Sequence, residues 1–122
     1  MTVATLIYHM AHRKDWHRAQ QRGLYRGSAD DLRDGFIHFS SAQLIEASAA
    51  KHRAGQDDLL LLEVDANTLG AALRWEKSAT SGTVFPHLYA PLDPKKIRRL
   101  WPLPLGKDGR HVFPKREELG NE

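Results

Sequence analysis

The four consecutive leucines Leu59–Leu62, continued by Glu63, Val64 and Asp65, form the longest purely apolar run of the chain. The run is short, continuous and flanked by polar residues, a pattern that predicts a central strand rather than a helix. Such a strand needs covering elements, and 122 residues supply one hydrophobic core, not two. Residues 1–114 are therefore read as a single domain and residues 115–122 as a frayed tail. Four leucines fall far below the ~20 residues of a membrane span. The apolar start Met1–Ile7 yields too soon to His9, His12, Arg13 and Lys14 to act as an export signal. No membrane partner is expected. The absence of cysteine excludes disulfides, thiolate nucleophiles and cysteine-held zinc, and the expected location is the cytoplasm.

Around the leucine strand the chain alternates short elements. Val3–His9 reads as a buried strand with His9 at its end, and Lys14–Arg22 as an amphipathic helix closed by Gly23. Ser28-Ala29-Asp30-Asp31 has the spacing to cap one helical turn inside a loop. Gly35–Phe39 suggests a short strand, and Ser40-Ser41-Ala42-Gln43 a capping box for a helix reaching about Arg53. Strands are further expected at Leu73–Glu76, Val84–Tyr89 and Ile97–Leu103, with Asp93-Pro94 starting one turn between the last two. Two main helices early and strands late predict an α+β domain with a mixed or antiparallel sheet.

No phosphate-binding glycine loop, dinucleotide fingerprint, zinc-protease motif, serine-hydrolase elbow or calcium loop is present. Chemistry must therefore come from residues distant in sequence. Lys plus Arg exceeds Asp plus Glu by 18 to 15, a mild bias toward anionic partners without any long run of like charge. Seven histidines are the more telling count. His12, His17, His52 and His111 sit among charged or polar residues and read as solvated. His9, His38 and His87 lie in β-branched or aromatic segments, where a buried imidazole needs hydrogen-bond partners. Each has a hydroxyl neighbour: Tyr8 beside His9, Ser40 two residues after His38, Tyr89 two after His87. Taken singly they suit core-edge histidines bonded to backbone; taken together they outline a polar, aromatic-walled pocket. Ser40, at an expected helix start, would favour a phosphate or ribose hydroxyl nearby.

The segments Ile7-Tyr8-His9, Gly35–Ser40, Gly55–Leu59, Arg74-Trp75-Glu76 and Phe85–Tyr89 closely resemble the bacterial domain-of-unknown-function family numbered nine hundred and fifty-two, over nearly the whole chain to Pro114. The resemblance implies a fold like that of ADP-ribosyltransferases, with a split sheet. It further implies that His9 resembles the first-strand histidine that holds a ribose hydroxyl of NAD. Gly35–Phe39 resembles the strand that carries G-I-Y-F in poly(ADP-ribose) polymerases, and Phe85–Tyr89 the strand that carries their glutamate. Here that strand offers His87 and no acid, and Glu76 is the nearest carboxylate to recruit.

The expected ligand is a small-molecule nucleotide, with NAD as substrate rather than resident cofactor and no metal. His38, His87 and Glu76 are the candidate catalytic residues; Tyr8, His9, Ser40 and Tyr89 the candidate binding residues. ADP-ribosyl transfer, NAD hydrolysis or phosphoryl transfer would suit them. Nucleic acid is a minor alternative, since no arginine-rich stripe interleaves with aromatics. Two other classes compete: a non-catalytic nucleotide or metabolite module, and a metal-dependent hydrolase or lyase holding its ion through the three histidines.

Overall fold

The structure, a computed structural model, describes residues 3–115 and 118–119. Strand β1 (Leu6–His12) opens the fold and runs directly into helix α1 (Arg13–Arg22), which buries Trp16 and Ala19 and ends at Gly23 in the left-handed conformation. Helix α2 (Ala29–Asp34) is followed by β2 (Ile37–His38), β3 (Ser40–Ser41) and helix α3 (Ile45–His52). Four strands complete the order: β4 (Leu59–Asp65), β5 (Leu73–Lys77), β6 (Val84–Leu88) and β7 (Ile97–Leu103).

Every strand pair is antiparallel, and the strands form two sheets, β3-β1-β4-β7 and β2-β6-β5. The domain is thus α+β, with three α-helices among the described residues. The leucine run is β4, paired on one side with β1 and on the other with β7. Both its faces are used, because side chains alternate along a strand. Leu60, Leu62 and Val64 join Ile7, Ala11, Trp16, Ile37, Phe39 and Leu88 in one core cluster. Leu59 and Leu61 join Tyr8, Met10, Ile45, Ala49 and Leu103 in the other.

Four expectations are corrected. His9 lies in the middle of β1, not at its end, since pairing with β4 continues to His12. Ser40 and Ser41 do not cap a helix: they pair with Tyr8 and Ile7 as β3, and α3 begins later, after Leu44, without a side-chain cap. Ser28 and Asp31 form a complete capping box, which carries α2 past the single turn expected. Leu119, assigned to the tail, is 3% exposed and packs into the second core cluster. The rest of the expected tail, residues 116–117 and 120–122, lies outside the described residues.

Between β2 and β3 the chain crosses from one sheet to the other at Phe39, whose amide bonds back to the Pro86 carbonyl of β6. That crossing sets His38 on one sheet and Ser40 on the other.

Candidate functional site

The pairing of β2, β6 and β5 decides which side chains meet. His38 is directly opposite His87, and His87 is directly opposite Arg74. Directly opposed residues of an antiparallel pair share a face, as do residues two apart. His38, Phe85, His87, Tyr89, Arg74 and Glu76 therefore stand on one face, while Ile37 and Leu88 turn into the core. This face, with α2, α3 and the edge of the larger sheet, encloses a cleft of about 510 Å³.

Glu76 and His87 form the first polar couple. His87 Nδ1 lies 2.8 Å from Glu76 Oε1, and the Tyr89 hydroxyl donates to the same oxygen at 2.7 Å. The Tyr89 and His87 hydrogen bonds hold the Glu76 carboxyl below its ordinary range, so it is ionised at neutral pH. A carboxylate only accepts, so Nδ1 carries the proton and Nε2, which has no partner among the described residues, is left for the cleft. Glu76 Oε2 likewise makes no hydrogen bond to them. Phe36 fixes the ring from another side, stacked on His87 with centroids 4.1 Å apart and planes 26° apart.

Asp31 and His38 form the second couple. His38 Nδ1 is 2.5 Å from Asp31 Oδ1, and its Nε2 is 3.1 Å from Asp34 Oδ2. The first is a hydrogen bond donated by Nδ1 to the carboxylate, and the second is an ion-pair contact without hydrogen-bond geometry. Burial pushes the Asp31 carboxyl up, but the His38 hydrogen bond, the nearby His9 imidazole and the backbone amides of Ser28 and His38 outweigh it and hold it at about 2. Gly27 lets the carboxylate fit: at φ +102° any Cβ there would sit 2.5 Å from the Asp31 side chain. The imidazoles of His38 and His87 meet edge to face, with centroids 5.6 Å and planes 67° apart.

Four of the residues singled out in the sequence, His38, Glu76, His87 and Tyr89, thus form one cluster. The other three border the cleft with their polar atoms already engaged. His9 is 2% exposed; Nδ1 donates to the His38 carbonyl at 2.6 Å, and Nε2 meets the Tyr25 hydroxyl at 2.7 Å. Desolvation lowers its pKa, so the neutral ring accepts the Tyr25 proton. Tyr8, opposite Glu63 in register, donates to that buried carboxylate at 2.7 Å. Ser40 pairs with the Ser48 hydroxyl at 2.9 Å. These three form part of the cleft wall. Both nitrogens of His9 are occupied, and among the described residues no group of three or more His, Asp or Glu side chains is arranged to hold a metal ion.

Sequence reasoning missed Asp31, Asp34, Phe36 and Arg53. Asp31 and Asp34 are three residues apart on one short helix, a spacing that places both carboxylates beside one imidazole. Arg53 ends α3 at 8% exposure, bonded to Asp30 Oδ2 at 3.0 Å and pinning α2 against α3.

A search of curated proteins returns no match. Among solved structures, the crystal structure of protein CC0527 from Caulobacter crescentus superposes with a TM-score of 0.84 at 44% identity, over 88% of this chain and 94% of that one. The solution NMR structure of CC0527 gives 0.77 at 45% identity, over 87% and 90%. A family model described as protein of unknown function, DUF952, matches residues 10–100. The chain belongs to the DUF952 family.

Proposed function

We propose that the cleft binds NAD or a closely related nucleotide and cleaves its glycosidic bond, with His87 as general base and Glu76 as the anion beside the reacting ribose. The observation that carries this reading is the Glu76–His87 couple, an ionised carboxylate holding the imidazole so that Nε2 faces the cleft. Nicotinamide leaves as a neutral amide and needs no acid. The reaction requires negative charge beside the cationic ribosyl carbon and a base for the incoming hydroxyl. Glu76 Oε2 supplies the charge. As water or an acceptor hydroxyl bonds to the ribosyl carbon and the carbon–nitrogen bond breaks, His87 Nε2 takes the proton. The sequence resemblance to ADP-ribosyltransferases supports the same substrate, and the acid missing from the His87 strand is provided by its neighbour β5. His38, held by Asp31 and Asp34, borders the opposite side of the reacting group.

The test is nicotinamide release from NAD by purified protein. Turnover should fall at least about 100-fold in His87→Ala and in Glu76→Gln. NAD binding without release would favour a non-catalytic nucleotide module; neither binding nor release would overturn the reading.

A further inference from the structure

The cleft has a second end, remote in chemistry from the two histidine couples. One face of α3, Ile45, Ser48 and His52, lines it, with residues three or four apart in line along the helix. Opposite stand Lys77, the last residue of β5, and Ser78 and Thr80 of the loop joining β5 to β6, which also line the cleft. The two walls touch where Lys51 Nζ donates to Thr80 Oγ1 at 3.4 Å.

Charge pairing divides the cleft. The three carboxylates that line it are committed: Asp30 to Arg33 and Arg53, Asp34 to Arg33 and His38, Glu76 to His87. Lys51 and Lys77 have no carboxylate within 4 Å among the described residues. Lys77, and Lys51 at the rim beside Thr80, therefore leave this end with positive charge that no carboxylate balances and with hydroxyls beside it. Burial lowers the His52 pKa, and Lys51, Arg53 and His38 lower it further, against a smaller opposing effect of Asp30.

We propose that this end of the cleft is a phosphate subsite, in which Lys51, Lys77 and His52 together with the hydroxyls of Ser78 and Thr80 hold the phosphate or pyrophosphate of the ligand. The assignment rests on the nucleotide reading above and adds an orientation: phosphates between α3 and the β5–β6 loop, ribose at Glu76 and His87. Lysines supply point charges and hydroxyls supply donors, the usual means of holding a phosphate without a glycine loop.

Titration of the full-length protein with pyrophosphate, ADP and adenosine, read by calorimetry and by the His52 imidazole signal, tests it. Pyrophosphate and ADP should bind and raise the His52 pKa, because an anion now faces Lys51, Arg53 and Lys77. Adenosine should bind at least about tenfold more weakly than ADP. Lys51→Ala and Lys77→Ala should each weaken pyrophosphate about tenfold, while Lys96→Ala, whose ammonium bonds the Thr68 carbonyl elsewhere, should not. ADP and adenosine binding alike, or a Lys51/Lys77 double variant that is folded by circular dichroism and binds pyrophosphate normally, would overturn the subsite and leave the nucleotide reading intact. Pyrophosphate binding that moves His52 with no nicotinamide release would sustain the subsite while the hydrolytic reading fails.

Discussion

Replacing Asp31 with Asn keeps the shape of the residue and removes one charge at the junction of α2, β2 and β1. The carboxylate accepts the Ser28 amide at 2.7 Å, the His38 amide at 3.1 Å and His38 Nδ1 at 2.5 Å, with His9 Nε2 at 3.6 Å. A carboxyl held at about 2 instead of its ordinary 3.8 contributes about 2 kcal/mol to folding, at about 1.4 kcal/mol per unit. Asn has one oxygen where Asp has two and turns an NH2 toward N–H donors, which adds about 1 kcal/mol. The expected cost of Asp31→Asn is therefore about 3 kcal/mol at pH 7. A depressed carboxyl stabilises fully above its unfolded value, and the effect is lost as pH falls through the folded one. The gap between wild type and variant should thus narrow from about pH 4 downward, toward about 1 kcal/mol near pH 2. Urea denaturation from pH 7 to pH 2.5 measures both quantities. A cost below about 1 kcal/mol at pH 7, or a gap that does not narrow, would refute the electrostatic account of this hub.

Gly27→Ala should cost more than about 2 kcal/mol, seen as a lower urea midpoint, because the backbone is left-handed there and the new methyl meets Asp31. Arg99→Ala removes two 2.8 Å bonds to Glu63, which is fully buried, and should cost about 2–3 kcal/mol at pH 7; the loss should shrink in acid, where a protonated Glu63 needs no cation. His9 should remain neutral with its proton on Nδ1 at pH 6 by imidazole NMR. Its lowered pKa means that it costs stability as pH falls below its ordinary 6.5, where the unfolded chain takes up a proton that the folded chain refuses.

Much of this architecture was legible in the chain. Leu59–Asp65 announced a central strand, and the spacing of Tyr89 two residues after His87 set a hydroxyl neighbour beside that histidine before any pairing was known. Ser28 and Asp31 carried the spacing of a capping box, and Glu76 was read as the acid that the His87 pocket would recruit. What sequence could not show is register. Only the pairing of β1 with β4 puts Tyr8 against Glu63 and so spends its hydroxyl in the core, and only the pairing of β2 with β6 sets His38 opposite His87. Burial was equally hidden: His9 and His87 look alike in local composition. One has both nitrogens consumed and the other keeps Nε2 open, a difference set by Tyr25 and the His38 carbonyl, distant in the chain. Ser40-Ser41 misled because serine suits a helix cap and a strand edge alike, and here pairing with β1 prevailed.

The central claim is that the face bearing Glu76, His87 and His38 receives a nucleotide. It is tested most directly by titrating the protein with NAD and following histidine imidazole and phenylalanine ring signals by NMR. The account predicts saturable shifts at His87, His38 and Phe36, with His12 and His17, which do not line the cleft, unmoved. Signals of the cleft that stay fixed at NAD concentrations reaching several millimolar, or shifts confined to residues outside it, would contradict the claim.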